Sequence, residues 1–306
     1  MAMVNTYTYK KVTWVDLENP TRDEVRSLMQ AYDIHPLAAE ELVLPTVRSK
    51  VDKYDDFIYL ILHFPAWKHS HKETTQEIDF IIGKNFIVTA RYDTIDPLHK
   101  FSKMFEVNSV LDRNSLVGEH AGYMFYYMIR ELYRSLVDEL ESMDDALADI
   151  EQKTFMGRER EMVFELSNAS REILSFKHAT ALHKDMLASF ASAARHFFGA
   201  GYDHYMESIQ SECLRVEKTI QGLSESLSEL RETNDSLLEA KQNKIMLTFT
   251  SVTIISSFLN IMASWFLIES PDNPVKHMPH EFWYAGLLML VVAVVLAAFM
   301  KVRKWL

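Results

Sequence analysis

Apolar and polar positions change their spacing along this chain of 306 residues in a way that divides it into three stretches. From Tyr7 to about Lys103, short β-branched and aromatic runs are mixed with amphipathic segments. Lys11 to Leu17, Phe57 to Phe64, Glu77 to Ile82 and Asn85 to Ala90 read as strands. Between the first two, Thr21-Arg22-Asp23-Glu24 has the spacing of a capping box ahead of Val25, Leu28 and Met29, and His35-Pro36 opens a second helix through Ala38, Leu42 and Val43. Gly83-Lys84-Asn85 predicts a tight hairpin turn, and the polar segment Ala66 to Gln76 predicts a longer exposed connection. His69 and His71 in that connection are spaced to share a metal, but no carboxylate or cysteine set completes the ligands, so incidental loop histidines are the stronger reading.

From about Glu119 the period becomes helical. Three long helices are expected, Glu119 to Phe155, Arg158 to Phe198, and Asp203 onward through Val216, Ile220, Leu223, Leu227 and Leu230 toward Lys244. Gly157 and Gly199-Ala200-Gly201 are the breaks, whereas Gly122 and Gly222 are isolated within helical patterns. The first helix carries Asp138, Glu139, Glu141, Asp144, Asp145, Asp149 and Glu151, which either attract cations or form an ordinary solvated face.

Two apolar runs close the chain. Ile245 to Ile268 is uncharged between Lys244 and Glu269 and long enough to cross a bilayer. No strong breaker separates it from the third helix, and one helix from Asp203 to Ile268 would be about 100 Å long at ~1.5 Å per residue, suited to a stalk that enters a membrane. Phe282 to Met300 is a second span, with Trp283 and Tyr284 at interface depth and Lys301, Arg303 and Lys304 after it. Lys241 and Lys244 precede the first span and the intervening loop holds only Lys276, so the positive-inside rule places both ends in the cytoplasm and the Glu269 to Glu281 loop outside. In the first span Thr253, Ser257, Asn260 and Ser264 recur at steps of four, three and four, along one face with Met246 and Thr250. Ile255, Leu259, Met262 and Phe266 form the opposite face. Such a stripe is either a packing seam between helices, the usual role of small and polar residues, or the wall of a water-filled path.

The 32 basic and 43 acidic residues leave a formal charge of −11, which argues against a nucleic-acid partner and would draw cations toward an acidic mouth. Cys213 is the only cysteine, so no disulfide or thiolate cluster forms within one chain. The opening Met1 to Thr6 shows no apolar signal segment, so the N-terminal region is expected in a reducing cytoplasm. There is no phosphate-cradling glycine loop, nucleophile motif or HExxH helix to support an enzyme, and no cofactor is expected.

The succession of a cytoplasmic α/β domain, a long-helix stalk and a two-helix transmembrane domain resembles the CorA family of magnesium transporters. Trp14-Val15-Asp16-Leu17 with Asn19-Pro20, Ile34-His35-Pro36-Leu37 with Glu40-Glu41, Arg48 to Tyr54, and Gly83 to Thr89 are similar to the family's N-terminal segments. Asn243-Lys244-Ile245-Met246 and Lys304-Trp305-Leu306 are similar to its membrane segments. The resemblance implies a homopentamer whose first spans surround an ion path, which favours the pore-wall reading of the stripe. It also implies a Gly-Met-Asn signature at the end of the first span, holding a hydrated magnesium ion. An ungapped match places Leu267-Ile268-Glu269 there instead, and Asn260-Ile261-Met262 lies about two turns too early. Magnesium selectivity is therefore not carried over.

The expectation is a CorA-like pentameric cation channel or transporter of the inner membrane, multi-pass and in contact with lipid, with residues 1–118 as the α/β domain, 119–244 as the stalk and 245–306 as the membrane domain. It would pass divalent metal ions such as magnesium or zinc with altered selectivity. The alternative is a membrane-anchored regulator or scaffold that kept the pentameric frame and lost transport. Asn243, Met246, Phe249, Thr250, Thr253, Ser257, Asn260 and Ser264 are the candidate pore-lining residues, with Met246 and Phe249 as an apolar collar near the cytoplasmic end. Glu269, Asp272, His277 and His280 are the candidate outer mouth, or else a plain solvated hairpin. Glu269 is the candidate metal ligand, since five carboxylates around an axis would hold cations by charge; the other reading has it mark the lipid boundary.

Overall fold

A computed structural model describes residues 3–65, 75–110, 120–267 and 280–303. The chain divides into two compact units, Met1–Lys153 with Phe164–Leu230, and Thr154–Val163 with Arg231–Leu306. The histidine-bearing connection with His69 and His71 lies outside the described residues.

The first unit begins with an antiparallel pair, β1 (Met3–Tyr9) and β2 (Val12–Glu18). Helix α1 (Arg22–Tyr32) starts where the capping spacing expects, because the Thr21 hydroxyl accepts from the Glu24 N–H at 3.3 Å and the Glu24 carboxylate accepts from the Thr21 N–H at 2.8 Å. Helix α2 (Pro36–Glu41) has proline in its first turn, where the missing N–H is harmless, and His35 Nδ1 accepts from the Leu37 N–H. Four further strands follow, β3 (Lys50–Lys53), β4 (Phe57–Pro65), β5 (Thr75–Gly83) and β6 (Phe86–Arg91). The sheet order is β1-β2-β6-β5-β4-β3, with β2 and β6 parallel and the other neighbours antiparallel. The expected hairpin at Gly83-Lys84-Asn85 joins β5 to β6, and a Cβ at Gly83 would lie 2.2 Å from the Phe86 ring.

Helices cover both faces of this sheet, which is why β4 and β5 are buried along nearly their whole length. On one face Val15, Leu17, Tyr59, Ile61, Ile81, Val88 and Ala90 pack with Val25 and Leu28 of α1 and Ala38 and Ala39 of α2. The other face packs on α3 (Asp96–Val110), α4 (Ala121–Phe155) and α6 (His183–Phe198) through edge contacts of Trp14 with Phe101, Phe80 with Phe125, and Phe64 with His183. A polar chain is buried there as well. The Trp14 indole donates to Thr89, Thr89 donates to Asp16 at 2.7 Å, and Arg91 donates to Asp16 at 3.2 and 3.3 Å, so the buried charges are hydrogen-bonded on both sides.

The single helix expected from Arg158 to Phe198 is two, α5 (Glu159–Thr180) and α6, interrupted at Ala181 and Leu182. No glycine or proline marks the break. What accompanies it is tertiary: His183 is fully buried, with Nδ1 2.8 Å from the Tyr133 hydroxyl and Nε2 2.7 Å from the His63 carbonyl. Burial first of all holds its pKa down to about 4, so the ring is neutral.

After a short 3-10 turn, Ala200–Tyr202, helix α7 (Asp203–Leu267) runs unbroken for 65 residues, as the absence of a breaker predicted. Helix α8 (Glu281–Val302) is the last element. By length and composition, α7 and α8 each hold a segment able to cross a membrane.

Candidate functional site

The candidate site is built from the second unit, where α7 passes from charged to uncharged sequence. Lys241 is pinned just before that change: its ammonium donates to the Gly157 carbonyl at 3.1 Å and to the Glu159 carboxylate at 2.5 Å. Gly157 takes φ +93°, a left-handed backbone that suits the turn between α4 and α5. From Lys241 to Thr250 every residue is exposed, including the candidate collar, Met246 at 60% and Phe249 at 70%, and Asn243 beside it.

Beyond Thr250 burial falls on one side of the helix. Ser251 is completely buried, and Ile254, Ile255, Leu259, Met262, Ala263 and Phe266 are half-buried. In α8 the corresponding side is Ala285, Met289, Val292, Ala293 and Leu296, ending in buried Met300. These two helices are the long apolar elements of this unit. The predicted polar stripe is on the other side. Thr250, Thr253, Ser257, Asn260 and Ser264 are all exposed.

Three of those polar groups share a chemical feature that spacing alone does not disclose. The Thr250 hydroxyl donates to the Met246 carbonyl at 2.8 Å, Thr253 to Phe249 at 2.9 Å, and the Asn260 amide N–H to Ser256 at 3.0 Å. Both threonine hydroxyl protons, and one of the two Asn260 N–H groups, are thus given to the helix's own backbone four residues earlier. The stripe therefore presents acceptor oxygens, the hydroxyl lone pairs of the threonines and the Asn260 carbonyl, which are groups that solvate cations.

At the far end, Glu269, Asp272 and His277 lie outside the described residues. His280 is described, exposed, and caps α8 from a left-handed backbone at φ +71°, with its carbonyl accepting from the Trp283 and Tyr284 N–H groups. Among the described residues no group of three or more His, Cys, Asp or Glu side chains is arranged to hold a metal. In α4 the carboxylates Asp138, Glu141, Asp144, Asp145, Asp149 and Glu151 are exposed and Glu139 is half-buried; Asp149 pairs with Lys153, as on a solvated face.

The architecture just described is that of a membrane ion transporter. The profile of the family described as CorA-like Mg2+ transporter protein matches residues 9–304, and the chain belongs to that family. Members of this family are ion transporters and not enzymes. The chain is 21% identical over 304 residues to the cobalt/magnesium transport protein CorA of Thermotoga maritima, covering 96% of this chain and 83% of the relative. It is 20% identical over 301 residues to the cobalt/magnesium transport protein CorA of Methanocaldococcus jannaschii, covering 97% and 92%. The complete structure of the CorA magnesium transporter from Methanocaldococcus jannaschii superposes with a TM-score of 0.82 at 20% identity, covering 98% of this chain and 94% of that one. The fold, an α/β soluble part followed by a long helix and a second helix able to span a membrane, is thereby established.

Two sets of functional candidates went unread in the sequence. The Asp16, Thr89 and Arg91 network is one; its signal, a charged residue inside each of two apolar strands, was available. The carboxylates of β5 are the other, and they look in sequence like the solvent face of a half-exposed strand.

Proposed function

We propose that the chain forms a homopentameric cation channel of the inner membrane, with the exposed stripe of α7 lining a shared axis and α8 on the lipid side. In this reading residues 1–118 and 119–244 are the cytoplasmic domain and stalk, residues 245–306 the membrane domain, and both termini are cytoplasmic, as the basic residues around Lys244 and Lys301 favour. The ion passed is divalent. The relatives named for cobalt and magnesium transport support that class, and the sequence Leu267-Ile268-Glu269 where the family has Gly-Met-Asn supports a selectivity loosened toward ions such as zinc.

The observation that carries the reading is the side of α7 on which the stripe lies: Thr250, Thr253, Ser257, Asn260 and Ser264 are all exposed, opposite the shaded side of Ser251, Ile255, Leu259, Met262 and Phe266. With Thr250, Thr253 and Asn260 bonded back to their own helix, the stripe offers oxygens outward. Oxygen acceptors without full charge can stand in for part of a cation's water shell without trapping it. The reading also accounts for the apolar residues exposed on α7 and α8, which would meet lipid or neighbouring copies.

The test is ion uptake into liposomes containing the purified full chain, with magnesium, zinc, cobalt and potassium compared. Divalent uptake well above that of empty liposomes, with zinc close to magnesium, is the expected result. No uptake of any ion by an intact pentamer would leave the scaffold reading in its place.

A further inference from the structure

Strand β5 carries two buried carboxylates. Glu77 is 4% exposed and Asp79 is 0%. Being two residues apart they project from the same face, Glu77 opposite His63 and Asp79 opposite Ile61 of β4. One oxygen of each is well supplied with donors. Asp79 Oδ2 accepts from the Tyr59 hydroxyl at 3.2 Å and the Tyr92 hydroxyl at 3.0 Å. Glu77 Oε2 accepts from the Thr46 N–H at 2.6 Å and lies 3.2 Å from His63 Nε2.

The remaining oxygens, Asp79 Oδ1 and Glu77 Oε1, are buried and have no donor. The two carboxyl groups are neighbours on one face of β5, and the charge of Glu77 bears on Asp79. Two adjacent carboxylates ionised together at such a depth repel each other, and the donors on Asp79 Oδ2 and Glu77 Oε2 leave the facing oxygens uncompensated; a hydrogen on one of them removes both costs. A metal ion is the other solution in principle, but among the described residues the set of ligands it needs is lacking.

The groups packed around the pair do not neutralise it. Glu41 comes from α2, Thr46 and Ser49 from the segment before β3, Lys50 and Asp52 from β3, Tyr59 and His63 from β4, and Tyr92 follows β6. Lys50 is the permanent cation of this set, and its ammonium is held by Glu41 at 2.5 Å and Asp52 at 2.7 Å, over the Tyr59 ring. His63 faces Glu77, yet the same Nε2 lies 2.9 Å from the Thr46 carbonyl and Nδ1 lies 2.9 Å from the Ser49 hydroxyl.

We propose that Glu77 and Asp79 form a proton-binding site, in which the pair holds one proton at neutral pH, carried on Asp79 Oδ1 and donated to Glu77 Oε1. Burial first, and then the charge of Glu77, push the Asp79 carboxyl well above the usual range, against the opposing pull of the two tyrosine hydroxyls. Burial opposes a charge on His63, but its hydrogen bonds to Glu77 and to the Thr46 carbonyl lift its pKa above the ordinary histidine value. The sign of the linkage follows. Asp79 binds its proton more tightly folded than unfolded, so it contributes stability that is complete below the ordinary carboxylate range and lost as pH rises through the folded value. The soluble part of a transporter so built responds to the pH around it, whatever ion the membrane part passes.

Infrared spectra of the full-length protein in detergent at pH 7.5 test this directly. The expected spectrum has the carbonyl band of one protonated carboxylic acid per chain, lost in Asp79→Asn and moved in frequency in Glu77→Gln, where burial still holds the proton on Asp79 but its acceptor has changed. Thermal unfolding of the same samples should show Asp79→Asn more stable than wild type at pH 8, with the difference shrinking by pH 5; a carboxylate needed in ionised form would instead make Asp79→Asn less stable at pH 8. No band in the wild type at pH 7.5, or a band that survives in Asp79→Asn, overturns the proposal. If Asp79→Asn fails to fold, Glu77→Gln and the wild-type pH titration decide, because a shared proton requires the band to fade as pH is raised and to change frequency in Glu77→Gln; a band indifferent to both overturns it.

Discussion

Over its first half α7 buries Met206, Ile209, Cys213, Val216, Ile220, Leu223 and Leu227 at three- and four-residue steps, whereas from Lys241 to Thr250 it buries nothing and beyond Thr250 it is shaded on one side only. The same secondary structure thus meets two different surroundings. In the first unit the apolar stripe is completed by the chain's own helices, so burial, and with it the hydrophobic stabilisation, belongs to the monomer. In the second unit Ile245, Phe249, Ile261, Trp265 and Leu267 are 56 to 80% exposed, an apolar surface too large to face water. In the proposed assembly that surface is met by lipid and by other copies. The difference teaches that stability can be assigned residue by residue in the first half, whereas the second half, in the proposed reading, acts in assembly and ion flux.

Charge placement is the sharpest way to break this contrast. Ile220→Asp, at a position 3% exposed, should cost roughly 4 kcal/mol or more by burying an unpaired carboxylate, and thermal unfolding of the full chain would move down by many degrees. Ser257→Asp, on the exposed stripe, should leave that transition in place and change ion flux alone. Equal destabilisation by the two would mean that α7 is one structural body with no division of labour.

A change at the collar is next in size. If Met246 and Phe249 restrict the path by excluding water, Phe249→Ala should raise ion leak by about tenfold, equivalent to ~1.4 kcal/mol of barrier, with the pentamer intact by native mass spectrometry. Unchanged flux would move the constriction toward Asn243, Glu239 or Glu232. A stable monomer in mild detergent would remove the shared axis altogether.

Smaller still is the expected effect at the outer end. Five Glu269 carboxylates around an axis would bind cations in competition with protons, so wild-type uptake should fall a few-fold on mild acidification while Glu269→Gln loses both the higher rate and the pH response. Uptake measured across pH with equal rates and equal responses in the two proteins would assign Glu269 to the lipid boundary. The mildest change is Thr21→Ala, which removes the cap of α1 and should lower the stability of the first unit by about 1 kcal/mol without touching flux.

How much of this was legible depended on the range of the interaction. The capping box at Thr21 and Glu24, the hairpin at Gly83 and the uninterrupted run from Asp203 are matters of neighbours three or four residues apart, and they appear in the structure as they read. The polar edge strands β1 and β3 lack an apolar pattern of their own and are made into strands by pairing with β2 and β4. Helix α3 does carry a local signal, since Leu98, Phe101 and Phe105 follow a helical period and all three are buried. The interruption between α5 and α6 has no local signal, and is tied to the environment of His183.

The amino-acid sequence by itself determined the classes of element, the two membrane-length apolar helices and the family, because periodicity, run length and motif order are properties of a line of residues. Only the tertiary structure decided which alternating strand residues see solvent. Glu77 and Asp79 obey the pattern of a half-exposed strand, yet β5 lies between β4 and β6 with helices on both faces, and both carboxylates are sealed. It likewise decided which side of α7 is shaded and where the hydroxyls of Thr250 and Thr253 spend their protons. The physical reason is that burial and hydrogen-bond partners are set by what an element packs against, and a sequence pattern records only that a face exists.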